Sequence, residues 1–326
     1  LSACSPITIG TSGRTSMNTN TPNNAGSAHG TRVYCPVSHF SYDDPVVYPG
    51  QRDASHLHMF WGNTETNATT TAQSLANSGR ATCEGGRNNR SAYWIPALFN
   101  ARDEVVLPEK VISYYKSFAV SSNFDRNTIM PIPNGLQMLA HPNIANSVPR
   151  YFDVSVTGKG LLKLSLHFPT CIAVNGSGQP ILSSPDNSPN RISHLAYPTS
   201  GTGNSNECPS SHPYRIPGLS YNVQYDIDPN SDWYLASDTN RNNPGHSLHG
   251  DYFASWDAET MNRVVECQRL EKRACQFLAP SGASRTQLPE RFRDHDGNQL
   301  YNDSITLRDS VDRTPFGTQL KPSKHG

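Results

Sequence analysis

Alternation of apolar and polar side chains marks several stretches of the chain as strands. Tyr151-Phe152-Asp153-Val154-Ser155-Val156, Leu162-Lys163-Leu164-Ser165-Leu166-His167-Phe168 and Tyr221-Asn222-Val223-Gln224-Tyr225-Asp226-Ile227 all repeat at period two. That period turns every second side chain to one face, as a half-buried strand requires. Val111-Ile112-Ser113-Tyr114-Tyr115 and Trp233-Tyr234-Leu235 are β-branched or aromatic and read as strands too. One segment has helical spacing instead. Behind Asp257, a residue suited to an N-cap, come Met261, Val264, Val265 and Leu270, which predicts a helix from about Ala258 to Lys272. Residues 1–30 are rich in Ser, Thr, Asn and Gly, and the chain turns polar again from about Ser281. The pattern predicts a mainly β fold: a single β-sandwich or jelly-roll-like domain over 31–280, with long loops and one or a few helices. A flexible polar leader over 1–30 and a polar C-terminal extension over 281–326 flank it.

Composition narrows the function. The 326 residues are 35% hydrophobic and only 17% charged, against roughly 25% charged in an average soluble domain. That is not the composition of a helical bundle. Lys plus Arg and Asp plus Glu are 27 each, so there is no basic excess for neutralising phosphates, and nucleic acid is not an expected partner. No apolar run is long enough to span a membrane. Four Trp, 14 Tyr and 11 Phe are too many for a disordered chain.

Of the seven cysteines, none forms a C-x-x-C, which argues against zinc-ribbon and thioredoxin chemistry. Cys267 with Cys275 would close a short loop and Cys171 with Cys208 a long one; Cys35 and Cys83 then pair by elimination, and Cys4 is left over. Such usage fits an oxidising compartment, so the expectation is a secreted or outer-surface protein. Leu1-Ser2-Ala3-Cys4 has the form of a bacterial lipobox, which makes Cys4 a possible lipid anchor.

Histidine spacing carries the candidate chemistry. His56-Leu57-His58 places two imidazoles at i and i+2, on one face of a strand, and His249-Gly250-Asp251 repeats the spacing with a carboxylate. Neutral imidazole suits Zn, Cu, Fe and Ni, and a catalytic centre wants about three protein ligands with an open position. His56, His58 and His249 are the metal-ligand candidates. His194 and His212, with Asp251, are acid/base candidates, and the Cys171–Cys208 bridge would bring His212 towards the loop carrying His194. Trp61, Tyr93, Trp94 and Tyr252 are candidates for stacking on sugar rings, although a core role fits at least one of these aromatics as well. No H-E-x-x-H and no G-x-S-x-G occurs, so zincin proteases and the common serine-hydrolase elbow are not expected. His29, His39, His141, His167, His246, His295 and His325 read as ordinary polar residues.

A set of motifs, taken in order, is more specific than any one of them. Ser55-His56-Leu57-His58-Met59-Phe60-Trp61-Gly62-Asn63, Tyr93-Trp94-Ile95-Pro96-Ala97-Leu98, Gly135-Leu136-Gln137-Met138-Leu139-Ala140, Ser193-His194-Leu195-Ala196-Tyr197-Pro198, Cys208-Pro209 with His212-Pro213, and His249-Gly250-Asp251-Tyr252 follow one another. Together they resemble a secreted domain-of-unknown-function family of fungi and bacteria, which in fungi often sits beside small WSC carbohydrate-binding modules. The resemblance covers roughly Val33 to Cys275. It implies secretion, a disulfide-bearing β-rich domain and an association with cell-wall or extracellular polysaccharide, and it singles out His56, His58, His194, His212, His249 and Asp251. Fungal members commonly carry a close cysteine pair ahead of the Tyr-Trp motif, where this chain has Cys83 alone.

The functional expectation is a secreted carbohydrate-active enzyme that cleaves polysaccharide at a His-rich site holding a divalent transition metal, zinc first and copper second. In a hydrolytic version Asp251 or a spare histidine moves the proton. In an eliminative version a histidine or Tyr197 abstracts a proton beside a uronate whose carboxylate Arg215 neutralises, and in a copper version the cleavage is oxidative. The alternatives are a non-catalytic glycan-binding protein and a metal-dependent phosphoesterase or nuclease.

Overall fold

The computed structural model describes residues 30–116, 125–141, 152–157, 161–185, 191–200, 206–228, 230–269, 295, 296 and 298. The leader before Gly30 (with Cys4), Cys275 and most of the extension expected over 281–326 lie outside them.

Two five-stranded antiparallel sheets dominate, so the fold is mainly β as the alternation implied. The first sheet runs, in spatial order, Gly30–Tyr34, Lys110–Lys116, Gly218–Tyr225, Leu162–His167 and Phe152–Val156. The second runs Val37–Ser41, His58–Gly62, Ala92–Pro96, Gly250–Phe253 and Gln137–Ala140. The sheets face one another across aromatic contacts. Trp61 meets Tyr221 edge-on with ring centroids 4.9 Å apart, and the Tyr221 hydroxyl donates to the Asp251 carbonyl at 2.6 Å. The helix Ala258–Arg269 follows the Gly250–Phe253 strand; the Asp257 carboxylate accepts from the Thr260 backbone N–H at 2.8 Å and caps it.

Strand parity decides which side chains reach the core. From the second sheet, Met59, Trp61, Tyr93, Ile95, Tyr252, Met138 and Ala140 join the main core between the sheets. Their neighbours Phe60, Ala92, Trp94 and Phe253 point the other way and form a separate apolar cluster with Val46 and Leu75. The outer face of this sheet is therefore covered, by the loop that carries Val46 and by the short helix Ala72–Asn77. Gly250 shows how close the two sheets lie: a Cβ there would sit 2.9 Å from Leu166 Cδ2. Gly250 thus faces inward because nothing larger fits, and its neighbours His249 and Asp251 both turn outward.

Two disulfides, Cys35–Cys83 and Cys171–Cys208, tie the loops to the sheets; the second is the long-loop pairing expected and the first the one left by elimination. Cys267 is also disulfide-bonded; Cys275, its expected partner, lies outside the described residues. Disulfides are compatible with an extracellular setting. Among the described residues no helix is long and apolar enough to cross a membrane.

Candidate metal centre

Under the covered outer face of the second sheet, three histidines and two aspartates converge. His58 opens its strand and is fully buried. Backbone pairing extends one residue back, since Ala97 N–H donates to the Leu57 carbonyl at 2.9 Å, and His56 falls on the same side as His58. The two rings meet edge-on with centroids 4.3 Å apart, and His249 lies against both, at 4.9 Å from His56 and 5.8 Å from His58. Asp251, two residues on, shares the outward face of the Gly250–Phe253 strand. The fifth residue, Asp44, comes from the covering loop.

Hydrogen bonds set which ring nitrogens are available. His249 Nδ1 lies 2.7 Å from the Ser247 carbonyl, so that nitrogen carries the proton and Nε2 keeps its lone pair. Nε2 faces His56 Nε2 at 3.2 Å. A single ion about 2.0–2.1 Å from both would see them at roughly 100°, a usual ligand angle. His58 turns Nδ1 to the Asp43 carbonyl at 3.2 Å, and its buried Nε2 has no hydrogen-bond partner. Neither carboxylate oxygen of Asp251 has one either, although the residue is fully buried. Each such atom costs about 1–3 kcal/mol if nothing satisfies it, more when charged, so their convergence calls for an occupant.

Within each of two groups the possible donor atoms lie within 4.8 Å of one another: His56, His58 and His249, and Asp44, His58 and Asp251. Asp44 is held by a tight turn in which one carboxylate oxygen accepts from the N–H groups of Val46 and Val47 at 2.9 and 2.8 Å. The Trp94 indole N–H faces the same carboxyl without meeting strict hydrogen-bond geometry.

Burial sets the protonation of the cluster. Desolvation, helped by neighbouring rings, pushes His58 down to about 3 and His249 down to about 4, and lowers His56 well below the usual imidazole value. Desolvation lifts Asp44 to about 6, and desolvation together with the Asp44 charge holds Asp251 well above the ordinary carboxyl range. At neutral pH the imidazoles are therefore unprotonated, the form in which they ligate.

The structure places several of the sequence candidates away from this cluster. His194, His212, Tyr197 and Arg215 gather elsewhere, around a small sheet formed by Cys171–Ile172, Leu195–Ala196 and Tyr214–Arg215. His194 Nε2 lies 2.8 Å from the Gln137 carbonyl, at the opposite end of the Gln137–Ala140 strand from His141 and about 10 Å along it. His212 Nε2 lies 3.1 Å from the Ser193 carbonyl, so the Cys171–Cys208 bridge does bring the two histidine loops together. Tyr197 donates to the His167 carbonyl at 2.8 Å, and Arg215 is buried beside the Cys208 sulfur.

Trp61, Tyr93 and Tyr252 are not sugar platforms either. All three are fully buried in the core between the sheets. Tyr93 donates to Asn89 Oδ1 at 2.8 Å, and the Trp256 indole donates to the Tyr252 hydroxyl at 3.1 Å. Trp94 does face the metal-site side but is fully buried against Phe60, with ring centroids 5.2 Å apart.

Two residues escaped the sequence reading. Asp44 sits 14 positions before His58 in an Asp-Asp-Pro turn, and no local spacing links it to the histidines. His141, set aside as an ordinary polar residue, lies against His249 with ring centroids 5.8 Å apart. It follows directly on the Gln137–Ala140 strand, next to the one that carries Asp251, and sheet adjacency would have been the signal. His56 and His141 are half-buried, whereas Asp44, His58 and Asp251 are buried, so the site opens on the histidine side.

Comparison with protein families finds one match: the model described as a domain of unknown function (DUF1996) covers residues 44–147 and 142–256. No curated protein and no solved structure matches the chain. The matched span begins at Asp44 and includes all five residues of the cluster and His141.

Proposed function

The chain belongs to the DUF1996 family, whose description assigns no activity, and from the site itself we propose that the protein is a metal-dependent enzyme, secreted and acting on an extracellular or cell-wall polysaccharide. The observation that carries the metal reading is the convergence of His56, His58 and His249, donor nitrogens within 4.8 Å of one another and unprotonated at neutral pH. All-nitrogen donors of this kind suit a divalent transition metal, with zinc the first choice and copper the second. A metal held there supplies a Lewis acid and lowers the pKa of bound water, which is hydrolytic chemistry.

The chain's own residues supply the rest. Ser247 fixes the His249 tautomer through its carbonyl. The cover of Val46, Leu75 and Trp94 keeps bulk water from the deep side. Half-buried His141, beside His249 at the mouth, is the group best placed to carry a proton to or from a substrate. The polysaccharide part rests on the resemblance to the secreted, WSC-associated family. The glycan-binding alternative loses its main support, because the proposed stacking aromatics are buried.

The test uses purified protein, assayed for metal content and for products from a panel of neutral, amino- and uronate-containing polysaccharides, before and after EDTA. The expected result is one bound metal per chain and product formation that EDTA and His58→Ala both abolish. Metal-loaded protein that releases nothing from the panel would overturn the carbohydrate part. Protein that takes up no transition metal would overturn the metal part.

A further inference from the structure

The turn over 175–179 belongs to neither histidine cluster, yet Asn175-Gly176-Ser177 has the Asn-x-Ser spacing of an N-glycan acceptor. We propose that Asn175 carries an N-linked glycan, added in a eukaryotic secretory pathway. The inference rests on the secreted part of the reading above and is independent of the metal.

Three acceptor triplets fall on described residues, and their surroundings separate them. Asn89, in Asn89-Arg90-Ser91, is fully buried. Its Oδ1 accepts from the Tyr93 hydroxyl at 2.8 Å and its Nδ2 is buried, so a sugar on that nitrogen would have to break open the core. Asn67, in Asn67-Ala68-Thr69, is half-buried, and its Nδ2 donates to the Glu65 carbonyl at 2.9 Å. The next residue, Ala68, is buried with its N–H on the Asp43 carboxylate at 3.1 Å, which ties this triplet down to the loop that bears Asp44.

Asn175 differs on each count. Residues 175–179 are all exposed, and a Cβ added at Gly176 or Gly178 would meet nothing within 4 Å. The turn is nonetheless firmly built. Val174 and Pro180 pair at its base, Asn175 N–H donates to the Gln179 carbonyl at 2.8 Å, and Ile181 N–H donates to the Ala173 carbonyl at 2.8 Å. Cys171, just ahead of it, is bridged to Cys208. Asn175 Oδ1 accepts from the N–H groups of Ser177 and Gln179, both at 3.0 Å. Both of these bonds run through the oxygen, which leaves the amide nitrogen of this exposed residue to take a sugar without disturbing the turn.

The donor is an oligosaccharide linked through pyrophosphate to a lipid. Nδ2 bonds to the anomeric carbon, the carbon–oxygen bond to the pyrophosphate breaks with its electron pair, and Nδ2 gives up one proton. The product is still an amide, so Oδ1 keeps both of its bonds. A bulky, hydrated group of this kind belongs on such a surface turn.

The experiment recovers the full chain from the culture medium and from the cells of its source organism. Its peptides are mapped before and after a glycosidase that frees N-linked sugars and leaves aspartate in place of the acceptor asparagine. Asn175→Gln, Ser177→Ala and Ser177→Thr are expressed in the same organism. The expected result is secreted protein with glycan on Asn175 and none on Asn89. Asn175→Gln and Ser177→Ala lose that glycan, and Ser177→Thr keeps it. Ser177→Ala guards against misfolding, because the turn uses the Ser177 N–H and not its hydroxyl. Secreted wild type with Asn175 bare, or with its glycan on Asn67 or Asn89 instead, overturns the inference and leaves the secreted reading standing. Wild type found only inside the cells overturns both.

Discussion

Replacing both Cys171 and Cys208 by alanine opens the bridge that holds the second histidine cluster, and it tests whether the molecule has one histidine site or two. The bridged residues are 37 positions apart. In the chain-entropy model a cross-link over a loop of that length removes about 13 cal/mol/K from the unfolded chain, or about 4 kcal/mol at 25 °C. Total stabilities run at roughly 5–15 kcal/mol, so the loss is a large fraction of the whole. For a domain of this size it corresponds to a fall in Tm of about 8–15 °C. The native loop keeps other ties: Ala173 N–H donates to the His194 carbonyl at 2.9 Å, and Tyr197 to the His167 carbonyl at 2.8 Å. Folding at 20 °C should therefore survive. Thermal melts of wild type and double variant, with metal titrations of both, provide the assay. The expected outcome is the Tm fall with metal affinity unchanged, because His56, His58, His249 and Asp251 sit on the outer face of the second sheet and Asp44 on the loop over it, away from the bridge. A Tm fall below about 3 °C would refute the entropy argument. A folded variant that has lost its metal would refute the division into two clusters.

Other perturbations probe the site's supports. Asp238 accepts from Gly245 N–H at 2.8 Å and from the Ser247 N–H and hydroxyl at 3.1 and 2.6 Å, so Asp238→Asn should loosen the carbonyl that orients His249 and weaken metal binding about 10–100-fold, read by calorimetric titration. Gly250→Ala should cost about 1–3 kcal/mol in urea unfolding because its Cβ meets Leu166, and Leu166→Val should recover part of that loss. Asp257→Ala should remove about 1 kcal/mol of helix capping. Thr260 holds the Asp257 carboxyl below its ordinary value. Its contribution is therefore complete above the unfolded pKa of about 3.9 and is lost as pH falls through the lower folded value, so wild type and variant should converge only in strong acid.

Strand parity explains both what could be read from the sequence and what was misread. That His56 shares a face with His58, and His249 with Asp251, was legible because period two is local. A strand that turns Met59 towards the core between the sheets must turn His58 to its other face, whatever the rest of the chain does. The same rule, carried one step further, excludes three of the four aromatics assigned to sugar binding. If His58 faces the site, Trp61, three residues on, faces away; if Asp251 faces it, Tyr252 cannot. Tyr93 and Trp94 are neighbours, so at most one could share the site's face, and Trp94 is the one that does, through its pairing with Asp251. The aromatic motifs therefore report a packed core. Asp44 and His141 required more than parity. Asp44 reaches the cluster through a turn that folds back over the sheet, and His141 reaches it through the pairing of Ala140 with Gly250. Both placements depend on which strands are neighbours, and alternation along one strand carries no information about that. The cover over Asp44 has a consequence for chemistry. A carboxyl delivered by a covering loop is buried by the same residues that exclude water, so the loop that closes the deep side of the site also brings one of its charges.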